Sequence, residues 1–176
     1  TDPMMGTHCA CPPWEPKREG EFEVVIDPGQ AFGTGAHPTT RLCLEFLLGL
    51  VEDGEEGGEL VDLGSGSGVL AIAASKLGWG PVRGYDHEVA AVEASVENAV
   101  VNGVEVHFER LDLKAGLPGL APTMVANLTA PLLEMVALQM DPEDLPARVI
   151  CSGLLATERA RVETVFGRLG YESKTF

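Results

Sequence analysis

A glycine-rich turn between two apolar segments is the feature that most restricts how this chain can fold. The turn is Gly64-Ser65-Gly66-Ser67-Gly68, and it follows the short apolar stretch Leu60–Leu63 and precedes the alanine-rich stretch 69–77. Glycine lets the backbone approach a ligand that a side chain would push away. A glycine turn between a strand and a helix is typical of the ligand-binding edge of a parallel α/β sheet. The turn therefore predicts an α/β fold with a ligand site after its first core strand.

The rest of the sequence alternates between strand and helix patterns, which supports the same fold class. The expected strands are 22–27, 60–63, 82–85, 104–108, 123–127 and 148–152, with a further one beginning at 171. The expected helices are 38–52, 69–77, 88–102, 131–139 and 157–169. Such alternation predicts a Rossmann-like, doubly wound, mostly parallel sheet with helices on both faces. Residues 1–21 are rich in proline and charge and are expected to be a linker or lead-in, so the single domain is expected to span 22–176.

An acidic residue, Asp86, follows the glycine turn by the distance expected of a ribose-binding carboxylate. It directly follows the second core strand, about twenty positions after the turn. A carboxylate there can accept hydrogen bonds from both ribose hydroxyls. The alternative is that Asp86 caps the helix that begins near Glu88. The preceding turn favours ribose binding.

The glycine spacing distinguishes between possible cofactors. Nicotinamide and flavin sites use glycine at relative positions one, three and six. Here glycine stands at 64, 66 and 68, and the sixth position is Val69. S-Adenosyl-L-methionine has no pyrophosphate and does not need the helix terminus as an anion site. The spacing favours adenosylmethionine.

Two further polar residues follow core strands at the same expected edge. Asp112 follows the third core strand and can accept from an adenine amino group, although a solvated loop carboxylate is an equally good interpretation. Asn127 ends the fourth core strand, where its side-chain carbonyl can accept from a nucleophilic nitrogen. Its alternative role is to cap the helix near Pro131. We expect the active-site role for Asn127.

Charge and cysteine content restrict the partners and the compartment. The net charge is −15 with only 12 Lys and Arg, so direct nucleic-acid binding is not expected. An acidic surface attracts basic partners such as a lysine-rich protein segment, or it only aids solubility. The four cysteines lack a clear pairing pattern and a metal-binding spacing, so we expect a reduced, cytoplasmic protein with no metal site. No apolar run is long enough to cross a bilayer, and no membrane association is expected.

The segment from Asp27 to Thr40 carries a closer resemblance. Its sequence is Asp-Pro-Gly-Gln-Ala-Phe-Gly-Thr-Gly-Ala-His-Pro-Thr-Thr. Together with the glycine turn, Ala126-Asn127-Leu128 and the lead-in Cys11-Pro12-Pro13-Trp14, it resembles the bacterial family that methylates ribosomal protein L11. The resemblance runs from about Cys11 to Phe176 and implies a class I methyltransferase fold.

The resemblance also implies roles for individual residues. Thr40, Gly64 and Asp86 match positions that bind the methyl donor, and Asn127 matches an asparagine close to the transferred methyl group. Phe32 and Thr34 belong to a loop that is similar to the family segment closing over donor and substrate. Ser65, Gly66 and Gly68 of the turn, with His87 beside Asp86, complete the expected donor-binding set, together with Asp112. His37 is the only nearby imidazole that can act as a base.

The family resemblance implies an N-methyltransferase that uses adenosylmethionine to modify lysine or N-terminal amines, with a basic ribosomal protein as the expected substrate. Family members carry a separate N-terminal domain that binds this substrate, and the present sequence lacks it, so the chain is expected to be a fragment or a shortened relative. Two alternatives are an RNA or small-molecule methyltransferase on the same fold and a non-catalytic adenosylmethionine-binding domain.

Overall fold

The chain folds around a five-stranded parallel sheet. The computed structural model describes residues 9–11, 23–27, 37–55 and 57–174. In chain order the strands are β1 (Cys9–Cys11), β2 (Glu23–Val25), β3 (Leu60–Leu63), β4 (Val82–Asp86), β5 (His107–Arg110), β6 (Thr123–Asn127) and β7 (Arg148–Ser152). The helices are α1 (Pro38–Glu52), α2 (Val69–Lys76), α3 (Val89–Asn102), α4 (Ala130–Gln139) and α5 (Arg159–Arg168).

Strand order in the main sheet is β5-β4-β3-β6-β7, and every neighbouring pair is parallel. The chain starts in the centre at β3, winds outward to β5, then returns to the other side of β3 with β6. Leu63 pairs with Tyr85 on one side and with Ala126 on the other. The order therefore reverses beside the end of β3, and such a reversal opens a crevice at the carboxyl ends of the strands.

Helices cover both faces of the sheet, which confirms the predicted doubly wound α/β fold. All four residues of β3 are buried, and successive side chains point to opposite faces. Leu60 packs into a core with Cys43 and Leu47 of α1. Val61 and Leu63 pack into a second core with helices α4 and α5. Because β3 is buried from both sides, its sequence shows no apolar-polar alternation.

A second, two-stranded parallel sheet lies against α3. Residues 9–11, within the segment expected to be a linker, form β1 and pair with β2 from Cys9↔Glu23 to Cys11↔Val25. Two asparagines of α3, Asn98 and Asn102, hydrogen-bond the backbone of Val25 and Asp27. The α3 side chains thus attach the small sheet to the main domain.

Most element boundaries lie within one or two residues of the sequence-based prediction; β1 was not predicted, and the strand expected at 22–27 ends at Val25. Two further differences concern the later part of the chain. The strand expected at 104–108 lies at His107–Arg110, because Gly103 ends α3 in a left-handed conformation and residues 104–106 continue as a connection. The prediction of a strand beginning at 171 was wrong for residues 171–174, which form no strand. Tyr171 instead closes the end of α5: its N–H donates to the Phe166 carbonyl and its hydroxyl donates to the Pro146 carbonyl at 2.6 Å. Among the described residues, no helix is long and apolar enough to cross a membrane.

Candidate active site

A cavity of about 540 Å³ opens at the carboxyl ends of β3, β4 and β6. It brings together eight of the residues predicted from sequence: Thr40, Gly64, Ser65, Gly66, Asp86, His87, Asp112 and Asn127. The remaining walls are mainly apolar and include Val69, Leu70, Ala91, Leu111, Leu113 and Leu132. A mainly apolar pocket with a few polar groups is typical of sites for small organic ligands.

The glycine turn forms the floor of this cavity. Gly64 and Gly66 both have positive φ, at 75° and 52°. The Tyr85 carbonyl accepts from the N–H groups of Gly64 and Ser65 at 2.8 and 2.9 Å, which fixes the turn to the end of β4. A Cβ at Gly64 would collide with the Leu128 side chain. Glycine at 64 is therefore favoured by its positive φ, and a larger residue would also have to displace the Leu128 side chain.

Asp86 lies at the end of β4 with its side chain 11% exposed. Its Oδ2 accepts from the Gly66 N–H at 2.9 Å, and its Oδ1 accepts from the Glu88 N–H at 3.0 Å. The second bond closes a local turn before α3, whose N-cap residue is Glu88, so Asp86 does not cap that helix and lies in the cavity wall. Because an ionised carboxylate has about four acceptor positions, these two bonds leave acceptor capacity for a ligand.

Gly68 does not line the cavity with the rest of the turn. Its φ is 80°, and a Cβ there would lie 2.8 Å from Phe108 Cζ and 2.8 Å from Ser95 Cβ. These neighbours belong to β5 and α3, behind the turn. Glycine at 68 is therefore explained by its positive φ and by packing at the start of α2, and its expected role in donor binding stays a prediction.

Asp112 and His87 occupy the solvent-facing rim. Asp112 is exposed, and its Oδ1 accepts from the Lys114 N–H at 2.9 Å in a local turn. The His87 side chain is 67% exposed, with Nδ1 at 3.3 Å from Asp86 Oδ1. Both residues line the cavity, although solvent reaches them more freely than it reaches Asp86.

Asn127, at the end of β6, is tied to the first turn of α1. Its Nδ2 donates to Thr40 Oγ1 at 3.1 Å, and Thr40 is only 1% exposed. This bond uses the amino side of the Asn127 amide, so its carbonyl oxygen is the group left to accept from a ligand. His37 lies just before, where its ring accepts from the Thr39 N–H and caps α1. His37 is not part of the cavity wall.

Two predicted donor-binding residues, Phe32 and Thr34, lie outside the described residues, so their positions relative to the cavity stay predictions. Among the residues that are described, no cluster of three or more His, Cys, Asp or Glu side chains has the arrangement of a metal site.

A buried carboxyl beneath the cavity was missed by the sequence reasoning. Asp62, on β3 two residues before the turn, is 1% exposed, and neither oxygen makes a hydrogen bond to a described residue. Burial raises the pKa of Asp62 from 3.8 to about 7; the nearby Ala71 backbone offsets only part of this rise although it makes no hydrogen bond to the carboxyl, and the Asp86 carboxylate adds to the rise. The position of Asp62 between two apolar residues of a buried strand was the available signal.

The Ser65 hydroxyl is another buried polar group without a hydrogen-bond partner among the described residues, and it is the one that belongs to a residue of the cavity wall. Ser65 is 6% exposed and lines the cavity. Because an unpaired buried hydroxyl is unfavourable, a polar group of a ligand bound here gains from pairing with it.

Comparison with known proteins identifies similar sequences and structures. The family model described as ribosomal protein L11 methyltransferase (PrmA) matches residues 2–176. Proteins named ribosomal protein L11 methyltransferase from Geobacter sulfurreducens and Dictyoglomus thermophilum are 42% and 43% identical, over 94% and 73% of this chain and 55% and 42% of their own lengths. A crystal structure of a ribosomal protein L11 methylase from Lactobacillus delbrueckii subsp. bulgaricus is 30% identical with a TM-score of 0.78, covering 93% of this chain and 85% of that one. The chain spans about half the length of the curated relatives that it matches.

Proposed function

Because the chain belongs to the ribosomal protein L11 methyltransferase family, we propose that it transfers a methyl group from S-adenosyl-L-methionine to a lysine or N-terminal amine of a ribosomal protein. The observation that carries the proposal is the cavity where the glycine turn, Asp86 and Asn127 meet at the carboxyl ends of β3, β4 and β6.

The described walls of the cavity fit the parts of adenosylmethionine. The acceptor capacity that Asp86 keeps beside its bonds to the Gly66 and Glu88 N–H groups suits the ribose hydroxyls. The unpaired Ser65 hydroxyl suits a polar group of the donor at the turn. The apolar residues Leu111 and Leu113 provide a surface for a flat base. The volume of about 540 Å³ lies within the range of small-ligand sites.

Asn127 is the residue that we expect to orient the amine. Its Nδ2 is engaged by Thr40, so its carbonyl oxygen accepts from the N–H of the nucleophile. When bound, the donor supplies an electrophilic methyl group on a sulfonium, and transfer requires the amine nitrogen in line with that methyl group. Orientation by Asn127 is therefore the main contribution of the chain to the reaction.

The amine must lose its proton before it reacts. A lysine amine has a reference pKa of about 10.4. Entry into a partly apolar pocket next to a positive sulfonium lowers the pKa of the amine, because both effects disfavour its charged form. The proton leaves to water, and no strong base is needed. His37 is occupied as the cap of α1, which supports a mechanism without it.

Charge supports a basic protein as the substrate. The net charge of −15 favours encounter with a positively charged partner and disfavours a phosphate backbone. Carboxylates also lie at the rim, at Glu88 and Asp112. We therefore propose a basic ribosomal protein as the partner, without direct nucleic-acid binding.

The same proposal extends to organisation and location. We propose residues 22–176 as the catalytic domain, with residues 1–21 as its lead-in. Cys43 and Cys151 are free thiols, as expected in a reducing compartment. This supports a cytoplasmic location, where ribosomal proteins are found.

The experiment that tests the function has two stages. Calorimetric titration of the purified chain with adenosylmethionine and, separately, with NAD tests the donor class, and we expect binding of adenosylmethionine alone. Incubation of the chain with adenosylmethionine and ribosomal protein L11, followed by peptide mass spectrometry, tests the reaction. We expect methylated amines on the ribosomal protein.

The outcomes separate the alternatives. Donor binding without methylation of ribosomal protein, RNA or small amines would identify a non-catalytic binding domain. Methylation of RNA in place of protein would refute the proposed substrate class, and binding of NAD would refute the donor.

A further inference from the structure

Asn98 lies on α3, behind the glycine turn, and both ends of its side-chain amide are used. The residue is 3% exposed. Its Nδ2 donates to the Ser67 carbonyl at 2.9 Å, and its Oδ1 accepts from the Asp27 N–H at 3.1 Å. Asn98 therefore joins the glycine turn to the end of β2, two parts of the chain that are separated by the whole of α1 and β3.

The turn is consequently held at two successive residues from opposite sides. On the cavity side, the Gly66 N–H donates to Asp86. On the far side, the carbonyl of the next residue, Ser67, accepts from Asn98. Ser95, one helical turn before Asn98, packs behind Gly68 so closely that a Cβ there would lie 2.8 Å away. The surface of α3 thus sets how far the turn can retreat from the cavity.

We propose that Asn98 is a positioning residue for the methyl donor. By holding the Ser67 carbonyl, it restrains the turn one peptide unit beyond the Gly66 N–H and so helps to keep that N–H on Asp86, which leaves the remaining acceptor capacity of Asp86 directed to the ribose. By holding the Asp27 N–H, it also sets the turn relative to β2. This inference rests on the proposed function, since it concerns the same donor.

Asn102 provides a matched comparison within the same helix. It lies one turn after Asn98, and its Oδ1 accepts from the Val25 N–H at 2.9 Å while its Nδ2 donates to the Val25 carbonyl at 2.6 Å. Asn102 therefore binds β2 with two hydrogen bonds, and its third bond goes to the Asn98 carbonyl within α3. Asn98→Ala and Asn102→Ala delete the same atoms and loosen the same strand, but only Asn98→Ala also releases the glycine turn.

The experiment compares the two variants with the wild-type chain by thermal unfolding and by calorimetric titration with adenosylmethionine and adenosylhomocysteine. We expect both variants to unfold at lower temperature. We expect Asn98→Ala to raise the Kd of both ligands about tenfold, which corresponds to about 1.4 kcal/mol. Asn102→Ala is expected to leave both Kd values within about twofold of wild type, a difference of only a few tenths of a kcal/mol.

A second variant distinguishes the two ends of the Asn98 amide. It also replaces Asn98→Ala in the binding experiment if Asn98→Ala does not fold. Asn98→Asp keeps an acceptor for the Asp27 N–H but loses the donor to Ser67, so we expect it to raise the Kd as well. Folded Asn98 variants with wild-type Kd values, or an equal rise in Asn102→Ala, would overturn the role of Asn98. If the wild-type chain itself binds neither ligand, the proposed function fails first, and this result is distinct from the loss of binding in one variant.

Discussion

Replacing the buried Asp62 with asparagine should remove a pH dependence from the stability of the fold. The Asp62 carboxyl lies in the core beneath the cavity, and neither oxygen has a hydrogen-bond partner among the described residues. Ionisation would place an unsolvated negative charge in the core, which is unfavourable. Burial therefore raises the pKa of Asp62 to about 7. Asparagine has nearly the same shape and does not titrate.

The sign and size of the effect follow from linkage. The pKa of Asp62 is raised in the folded chain, from 3.8 to about 7, so the folded state binds this proton more tightly than the unfolded state does. The free energy of unfolding therefore falls as pH rises from about 4 to about 7, and it changes no further above that window. Since one pKa unit corresponds to about 1.36 kcal/mol, the full loss is about 4 kcal/mol.

The assay is urea unfolding of wild type and Asp62→Asn at a series of pH values from about 4 to about 8. Fluorescence of Trp79, which is 3% exposed, reports the core. We expect the stability of wild type relative to Asp62→Asn to fall by about 4 kcal/mol across the series. Glu97→Gln, at an exposed site on α3, is the control, and its free energy of unfolding should change with pH in the same way as that of wild type. If the free energy of unfolding of Asp62→Asn shows the same pH dependence as that of wild type, the argument for a destabilising buried charge is refuted.

Three further changes test the site and its packing. Asp86→Asn removes the charge that accepts the ribose hydroxyls, so calorimetry should show the Kd of adenosylmethionine raised at least about tenfold, and an unchanged Kd would contradict the ribose assignment. Asn127→Ala removes the group that orients the amine, so kcat should fall about a hundredfold while the Kd of the donor stays nearly constant. A rise in the donor Kd as large as the fall in kcat would instead indicate a donor-binding role. Gly153→Ala places a Cβ 2.6 Å from the Leu128 carbonyl oxygen at a φ of 88°, and urea unfolding should show a loss of about 2–4 kcal/mol. The control Gly167→Ala, within α5 and with open space around it, should instead gain about 0.5–1 kcal/mol.

Features with a local chemical signature were predictable from the sequence. Pro38 and the apolar spacing after it predicted α1 with its bounds, and the glycine turn marked the end of β3. The distance from that turn to Asp86 predicted a ribose-binding carboxylate; Asp86 lies in the cavity wall, and its ribose role stays a prediction. Each of these features depends on residues close together in the chain.

Features that depend on distant packing were not predictable. Gly68 looked like its neighbours in the turn, but its surroundings are set by Phe108 and Ser95, which only the folded sheet brings near. The side chain of Asp62 is buried because α1 and α2 cover that face of β3; its apolar neighbours in sequence indicate a buried strand but do not show which helices cover this face. Asn98 reads as an ordinary polar residue of a helix until β2 and the turn are placed against it.

The strand order also has a consequence for the kinetics of folding. The turn, Asp86 and Asn98 all come from the β3-α2-β4-α3 segment, in which each strand pairs with the next one along the chain. Asn127 joins them only when β6 pairs with β3 across that whole segment, which requires closing a much longer loop. Because distant pairings form more slowly than local ones, we expect the part of the cavity assigned to the donor to assemble before the part assigned to the amine.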